Sequence, residues 1–150
     1  MALQNYAGDF TLPPLSIVAN TVRAVFPSCR AFRESPAPSA EEVAESGGDF
    51  DNVIMFCVKT TAAGEDAGIT FREAREADYL RSLARRQYLV PKHEVPDEVL
   101  LLPPPGTDDE AVGVLRKADT ENLAKWHTRS ARNHWEVMRK VLPPHIWERW

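Results

Sequence analysis

Apolar and polar positions along this chain change rhythm several times, and each change predicts an element. Ala2 to Tyr6 is a short extended stretch, broken by Gly8-Asp9. Pro13 and Pro14 suit the first turn of a helix, where a missing N–H costs nothing. Leu15, Val18, Ala19, Val22, Val25 and Phe26 then recur at three/four spacing, which predicts an amphipathic helix from Leu15 to Phe26. Asn20 and Arg23 fall on its other side, and Pro27 closes it. "SCRAFRE" sets Cys29, Ala31 and Phe32 against Arg30 and Arg33 and predicts a strand. "SPAPSAEEVAESGGD" reads as an exposed connection. Val53 to Val58 is a continuous apolar run, which predicts a strand buried on both faces.

Beyond that run the alternation stops. "ITFREAREADYLRSLARRQYLV" predicts a charged helix over Glu73 to Tyr88, with a narrow apolar line of Ala77, Leu80, Leu83 and Ala84. Pro91, Pro96 and Pro103 to Pro105 hold the following segment extended. Thr107 and Glu110 have the spacing of a capping box, predicting a short helix to Lys117. A last helix is predicted from Thr120 to Leu142, its stripe being Leu123, Trp126, Ser130, Ala131, Trp135, Met138 and Leu142. Trp126, Trp135, Trp147 and Trp150 carry large apolar area, so this tail is expected to dock. The chain thus divides into an α/β unit (1–60), a charged helix with a Pro-rich linker (61–106) and a helical Trp-rich extension that packs on the unit (107–150).

Composition narrows the function. With 43% hydrophobic and 27% charged residues the chain is globular in character. Eighteen Lys and Arg against 22 Asp and Glu give a net charge of -4, which offers no global attraction for nucleic acid or an anionic membrane. No run approaches the roughly 18 apolar residues of a membrane span, and the start lacks the features of a signal peptide. The expectation is a cytoplasmic protein with no nucleic-acid or membrane partner. Cys29 and Cys57, too few for a disulfide framework, are expected to be buried free thiols. The glycines form neither G-x-G-x-x-G nor a P-loop, and no G-x-S-x-G is present. His93, His127, His134 and His145 lack the spacing of metal ligands, so no metal site is expected. Arg72, Arg75, Arg81, Arg85 and Arg86 are interleaved with Glu73, Glu76 and Asp78, the pattern of a solvated face rather than a phosphate-binding stripe.

Strand, helix, strand, strand is the order of the closing part of an open α/β sheet, in which ligands bind beyond the carboxyl ends of the strands. That geometry puts "NYAGD" at the mouth of a site. Asn5, Tyr6 and Asp9 would face a substrate there, and Asp9 would attract an amine. The same Asp9, after a glycine and ahead of a helix, also reads as a turn or cap residue.

The run "ALQNYAGDFTLPPLSIVANTVRAVFPSCRAFRESP", followed after an insertion by "DFDNVIMFCVKT", resembles the C-terminal part of the spermidine/spermine synthase-like family, whose fold is that of class I S-adenosylmethionine-dependent methyltransferases. The resemblance implies the closing portion of a Rossmann-like sheet, with Asn5, Tyr6 and Asp9 on the polyamine side of the cleft. It also implies that the glycine-rich cofactor loop, the ribose-binding acid and the catalytic loop lie upstream of Ala2. The chain would then be a truncated polyamine synthase-like protein, inactive alone, with no catalytic, cofactor-binding or metal-binding residue of its own. The family's decarboxylated S-adenosylmethionine or S-adenosylmethionine would be held by a chain supplying the missing half. A homodimer is the other partner implied by the exposed edge of the first strand. Phe50 stands nearest the place of a family tyrosine and lacks its hydroxyl. The alternative from another class is a non-catalytic dimerisation or scaffold module that uses the Trp-rich tail and that edge.

Overall fold

The computed structural model describes residues 2–59, 69–101, 113–117, 121, 123–141 and 144–148. Of the predicted helix at Thr107 to Lys117, positions 107–112 lie outside them and 113–117 are not α-helical; the proline run 103–105 and Trp150 also lie outside.

Four strands, β1 (Ala2–Asp9), β2 (Ser28–Arg33), β3 (Phe50–Val58) and β4 (His93–Val95), form one sheet in the order β1-β3-β2-β4. Every neighbouring pair is antiparallel. Because β3 lies reversed between them, β1 and β2 run in the same direction, and their carboxyl ends emerge at one edge of the sheet. This is the predicted α/β order of strand, helix, strand, strand, and it is compatible with the closing part of a methyltransferase-like sheet.

Helix α1 (Pro13–Val25) begins on its two prolines and ends where the Phe26 N–H donates to the Val22 carbonyl, just before Pro27. Its Leu15 and Ala19 meet Ala31, Val53, Met55 and Cys57 of the sheet in the core. Asn20 and Arg23, expected in solvent, hold the next layer instead. Asn20 Nδ2 donates to the Leu101 carbonyl (3.2 Å), and Arg23 pairs with Asp97 and donates to the Cys29 carbonyl (3.2 Å).

Strand β3 is not buried on both faces. Val53, Met55 and Cys57 are buried under α1, and Asp51 on the same face is buried against Arg33, whereas the alternate residues are only half-buried. One helix covers one face, and the period of two places the rest of the apolar run on the other. There Phe56 and Phe32 meet Phe71, with ring centroids 4.9 and 5.7 Å apart in edge-on geometry.

The β2/β3 register sets Cys29 opposite Cys57, with Cα atoms 4.2 Å apart, and the two form a disulfide. The expectation of free thiols is therefore corrected. Pairing across strands depends on register, which two isolated cysteines 28 positions apart do not reveal.

Two further corrections concern helices. The exposed connection contains α2 (Ala40–Ser46), started by a capping box in which Glu42 N–H donates to Ser39 Oγ and Ser39 N–H to Glu42 Oε2. It ends at Gly47, whose φ of 74° is one that glycine adopts freely. The charged helix over Glu73 to Tyr88 is broken into a 3-10 turn (Glu76–Tyr79) and α3 (Leu83–Tyr88), separated by Leu80 and Arg81 in left-handed conformation. Its apolar line was too narrow to bury a helix, and Leu80 and Leu83 stand in solvent. After β4, α4 (Asp97–Leu100) sends Leu100 fully into the core.

The last long helix, α5 (Ala124–Val141), packs on the Asp9/Phe50 end of β1 and β3 and is followed by α6 (Pro144–Trp147). Its half-buried positions are Trp126, Ser130, Asn133, Val137 and Met138, so the predicted stripe is rotated. Trp135 is 51% exposed.

Candidate functional site

The carboxyl ends of β1 and β2, the loop before β3 and the middle of α5 converge on a cavity of about 230 Å³, lined among others by Arg33, Asp49, Asp51, Asn133 and Glu136. Its foundation is a set of charged side chains that the protein itself pairs. Arg33, only 8% exposed, extends between two aspartates of the β3 entrance. Its Nη1 and Nη2 donate to Asp49 (3.0 and 2.5 Å), and its Nε donates to Asp51 Oδ2 (3.0 Å). Burial pulls the guanidinium pKa down, but Asp49 and then Asp51 more than restore it, so the net direction is upward. The Phe10 ring lies 4.6 Å from the guanidinium carbon and closes the inner side. Asp51 also accepts the Ser35 N–H (3.0 Å) and the Asn52 N–H (2.7 Å).

Asp9 forms a second node. It is 2% exposed, and its Oδ1 accepts from the Thr11 N–H (2.8 Å), the Thr11 hydroxyl (2.7 Å) and the Asp49 N–H (3.1 Å). Asn133 Nδ2 donates to the other oxygen and so attaches α5. Gly48 is required by this contact. A Cβ there would lie 2.6 Å from Asn133 Nδ2 and 2.7 Å from Asp9 Oδ2. Beside it the Phe50 and His134 rings stack, with centroids 5.0 Å apart.

The three residues expected at the mouth are thus distributed. Asp9 is at the strand end, but its carboxylate is engaged by protein donors in the turn that leads into α1. Tyr6 lies on the α1 face, over Gly8 and against the core, and burial pushes its phenol pKa up. Asn5 is placed by register alone, opposite Ile54. The residues that do line the cavity, Arg33, Asp49, Asp51, Asn133 and Glu136, were not singled out for it from the sequence. One signal was available. The D-F-D run at 49–51 places two carboxylates at the start of the most apolar strand, where a buried cation must answer them.

Three carboxylates at this opening against one arginine favour a cationic or proton-donating ligand group. Asp49 and Asp51 are held by Arg33, which leaves exposed Glu136 as the carboxylate free to meet one. The cavity's volume is below the roughly 300 Å³ at which drug-sized ligand pockets begin, so it suits a small group such as one end of an acceptor. Among the described residues no group of three His, Cys, Asp or Glu side chains is placed to hold a metal ion. Also among them, no helix is long and apolar enough to cross a membrane.

Comparison with known proteins adds a direction. The chain is 41% identical, over 97% of its length, to the N-terminal histidine N-methyltransferase of Emericella nidulans. It spans only 25% of the length of that relative. No protein-family profile matches the chain, and no solved structure does. The likeness is to a methyltransferase and not to an aminopropyltransferase. It supports the methyltransferase part of the predicted resemblance and removes the support for a polyamine synthase.

Proposed function

We propose that this chain is the acceptor-side, sheet-closing part of an S-adenosylmethionine-dependent methyltransferase that modifies a nitrogen of a histidine at the N-terminus of a polypeptide. The observation that carries the reading is the 41% identity sustained over 97% of the chain to a protein of that name. The fold is consistent with it: β1 and β2 run in one direction around a reversed β3, and the cavity lies at their carboxyl ends. This likeness favours an enzyme scaffold over a non-catalytic dimerisation module.

An N-terminal histidine offers an ammonium and an imidazole within one residue. The cavity meets them with Glu136, unengaged at the rim, above the Arg33–Asp49–Asp51 set that keeps the floor rigid. Phe50 and His134 provide stacked rings beside it for a planar group. These residues bind and orient an acceptor; the methyl donor belongs to chain supplied from elsewhere, paired along the open outer edge of β1. The 150 residues alone are expected to show no heat of binding with S-adenosylmethionine.

The deciding experiment is a chimera in which this chain replaces the matching segment of the Emericella nidulans enzyme. Retained methylation of a peptide that begins with histidine, and little of the same peptide begun with alanine, is the expected result. A folded chimera with no transfer would refute the reading. Glu136→Gln in that chimera is expected to raise KM for the peptide about tenfold with kcat nearly unchanged, as loss of ground-state binding does.

A further inference from the structure

The segment between β3 and β4 meets the sheet through Phe71 and presents an apolar surface that the fold leaves exposed. Among the described residues, six of the ten large apolar side chains that stand exposed lie here: Phe71, Leu80, Leu83, Tyr88, Leu89 and Val90. Leu80 is 68% and Leu83 84% exposed. The backbone contributes to this display. Leu80 and Arg81 have φ of 49° and 58°, a conformation that costs a residue with a Cβ about 1 kcal/mol or more. That turn presents Leu80 at a groove of about 430 Å³, whose apolar walls are Phe71, Leu89, Val90 and Pro91 and whose polar lining includes Arg72 and Arg85.

The groove is held open by its own ion pairs. Arg72 binds Asp78 through both Nη atoms (2.7 Å each), and Arg75 N–H donates to the same carboxylate (2.7 Å). Arg85 Nη1 donates to the Asp78 carbonyl (3.1 Å), and Arg86 pairs with Glu76. The segment 71–92 has six basic side chains against three acidic ones, on a chain whose net charge is -4. Arg75 and Arg81 are exposed and have no carboxylate partner among the described residues.

We propose that this groove docks an acidic segment of another polypeptide, which seats a large apolar side chain between Phe71, Leu80 and Leu89 and sets its carboxylates against Arg75 and Arg81. Charge complementarity selects the acid, and the concave apolar walls select an anchor side chain. An anionic lipid surface fits less well. It would meet a hollow rather than a convex patch, and Glu73 and Glu76 would enter its headgroups. This surface is independent of the proposed methyl-transfer role.

The test uses the whole chain and a fluorescein-labelled peptide with leucines at i, i+3, i+4 and i+7 and glutamates between. Its controls are the lysine-for-glutamate counterpart and vesicles of phosphatidylcholine with and without phosphatidylserine. The acidic peptide is expected to bind, and the basic one to bind at least about tenfold more weakly. Leu80→Gly keeps the left-handed turn and removes the anchor wall, and with Leu83→Ser it should weaken binding about tenfold or more. Arg75→Glu/Arg81→Glu should do the same and flatten the salt dependence. Equal binding of both peptides, no binding of either, indifference to these substitutions, or capture by anionic vesicles instead would each overturn the proposal.

Discussion

At the residue scale, buried charge decides how the strand ends are built. Asp9 accepts from two backbone N–H groups, one hydroxyl and one amide, so Asp9→Ala strands several donors in a space that water does not reach. The expected cost is about 2–4 kcal/mol, read as a lower urea midpoint with unchanged slope. Asp9→Asn, which keeps the shape and one acceptor, should cost clearly less. A stable Asp9→Ala protein would mean that this carboxylate is not a structural node. Arg33→Met leaves Asp49 and Asp51 facing each other without their cation and is expected to cost about 3–5 kcal/mol. Arg33→Lys keeps the charge but cannot serve both carboxylates with the fork, so it should fall between. Thermal unfolding of the three proteins checks the order. The sequence showed Asp9 as a turn residue or a ligand and left both open, because a carboxylate's partners come from positions 11, 49 and 133. Arg33 read as an outward polar position since alternation alone does not say that Asp49 and Asp51 return opposite it.

At the element scale, what could be read was whatever had a strong local signal. Helix α1 had its period, its prolines at the start and its proline at the end, and it formed within two residues of the prediction. The strands β2 and β3 were equally legible, while the one-sided burial of β3 was set by which face α1 occupies and their antiparallel pairing by the return of the chain through α2. Helix α2 was hidden by its composition, although its Ser39-x-x-Glu42 capping box was in plain view. The segment 72–88 shows the opposite failure: helical spacing without a surface to bury, so ion pairs rather than packing fix its shape. Arg72, and after it the Arg75 N–H, hold the Asp78 carboxyl down from 3.8 to about 2. Because the folded value is depressed, this contribution is complete above the ordinary Asp range and is lost as pH falls through about 2. Arg86 likewise holds Glu76 below the usual carboxylate range. The Asp78 carboxyl carbon shift should therefore titrate with a midpoint near 2, and Arg72→Gln should move it back toward 3.8. An ordinary midpoint in the unmodified protein would show that the pair does not hold the turn.

At the scale of the whole molecule, the sheet is fastened between the two strands that bring the site together. Cys29–Cys57 joins β2 to β3 at the end opposite Arg33 and Asp51, so that pair of strands is tied by a covalent bond at one end and a buried ion pair at the other. Neither fastening is visible to local periodicity, because both depend on the antiparallel return of β3. Closing a loop of 28 residues restricts the unfolded chain and is expected to contribute about 3–4 kcal/mol. Reduction with a thiol under native conditions should lower the urea midpoint accordingly. Cys57→Ala should lower it further than reduction does, because Cys57 is completely buried in the core and its loss leaves a void. Cys29→Ala, at a half-buried position, should match reduction closely. Mass spectrometry of alkylated protein establishes which state was measured. If the unreduced chain takes up two alkyl groups without denaturant and has the midpoint of the reduced form, the strands are fastened by packing and the Arg33 pair alone.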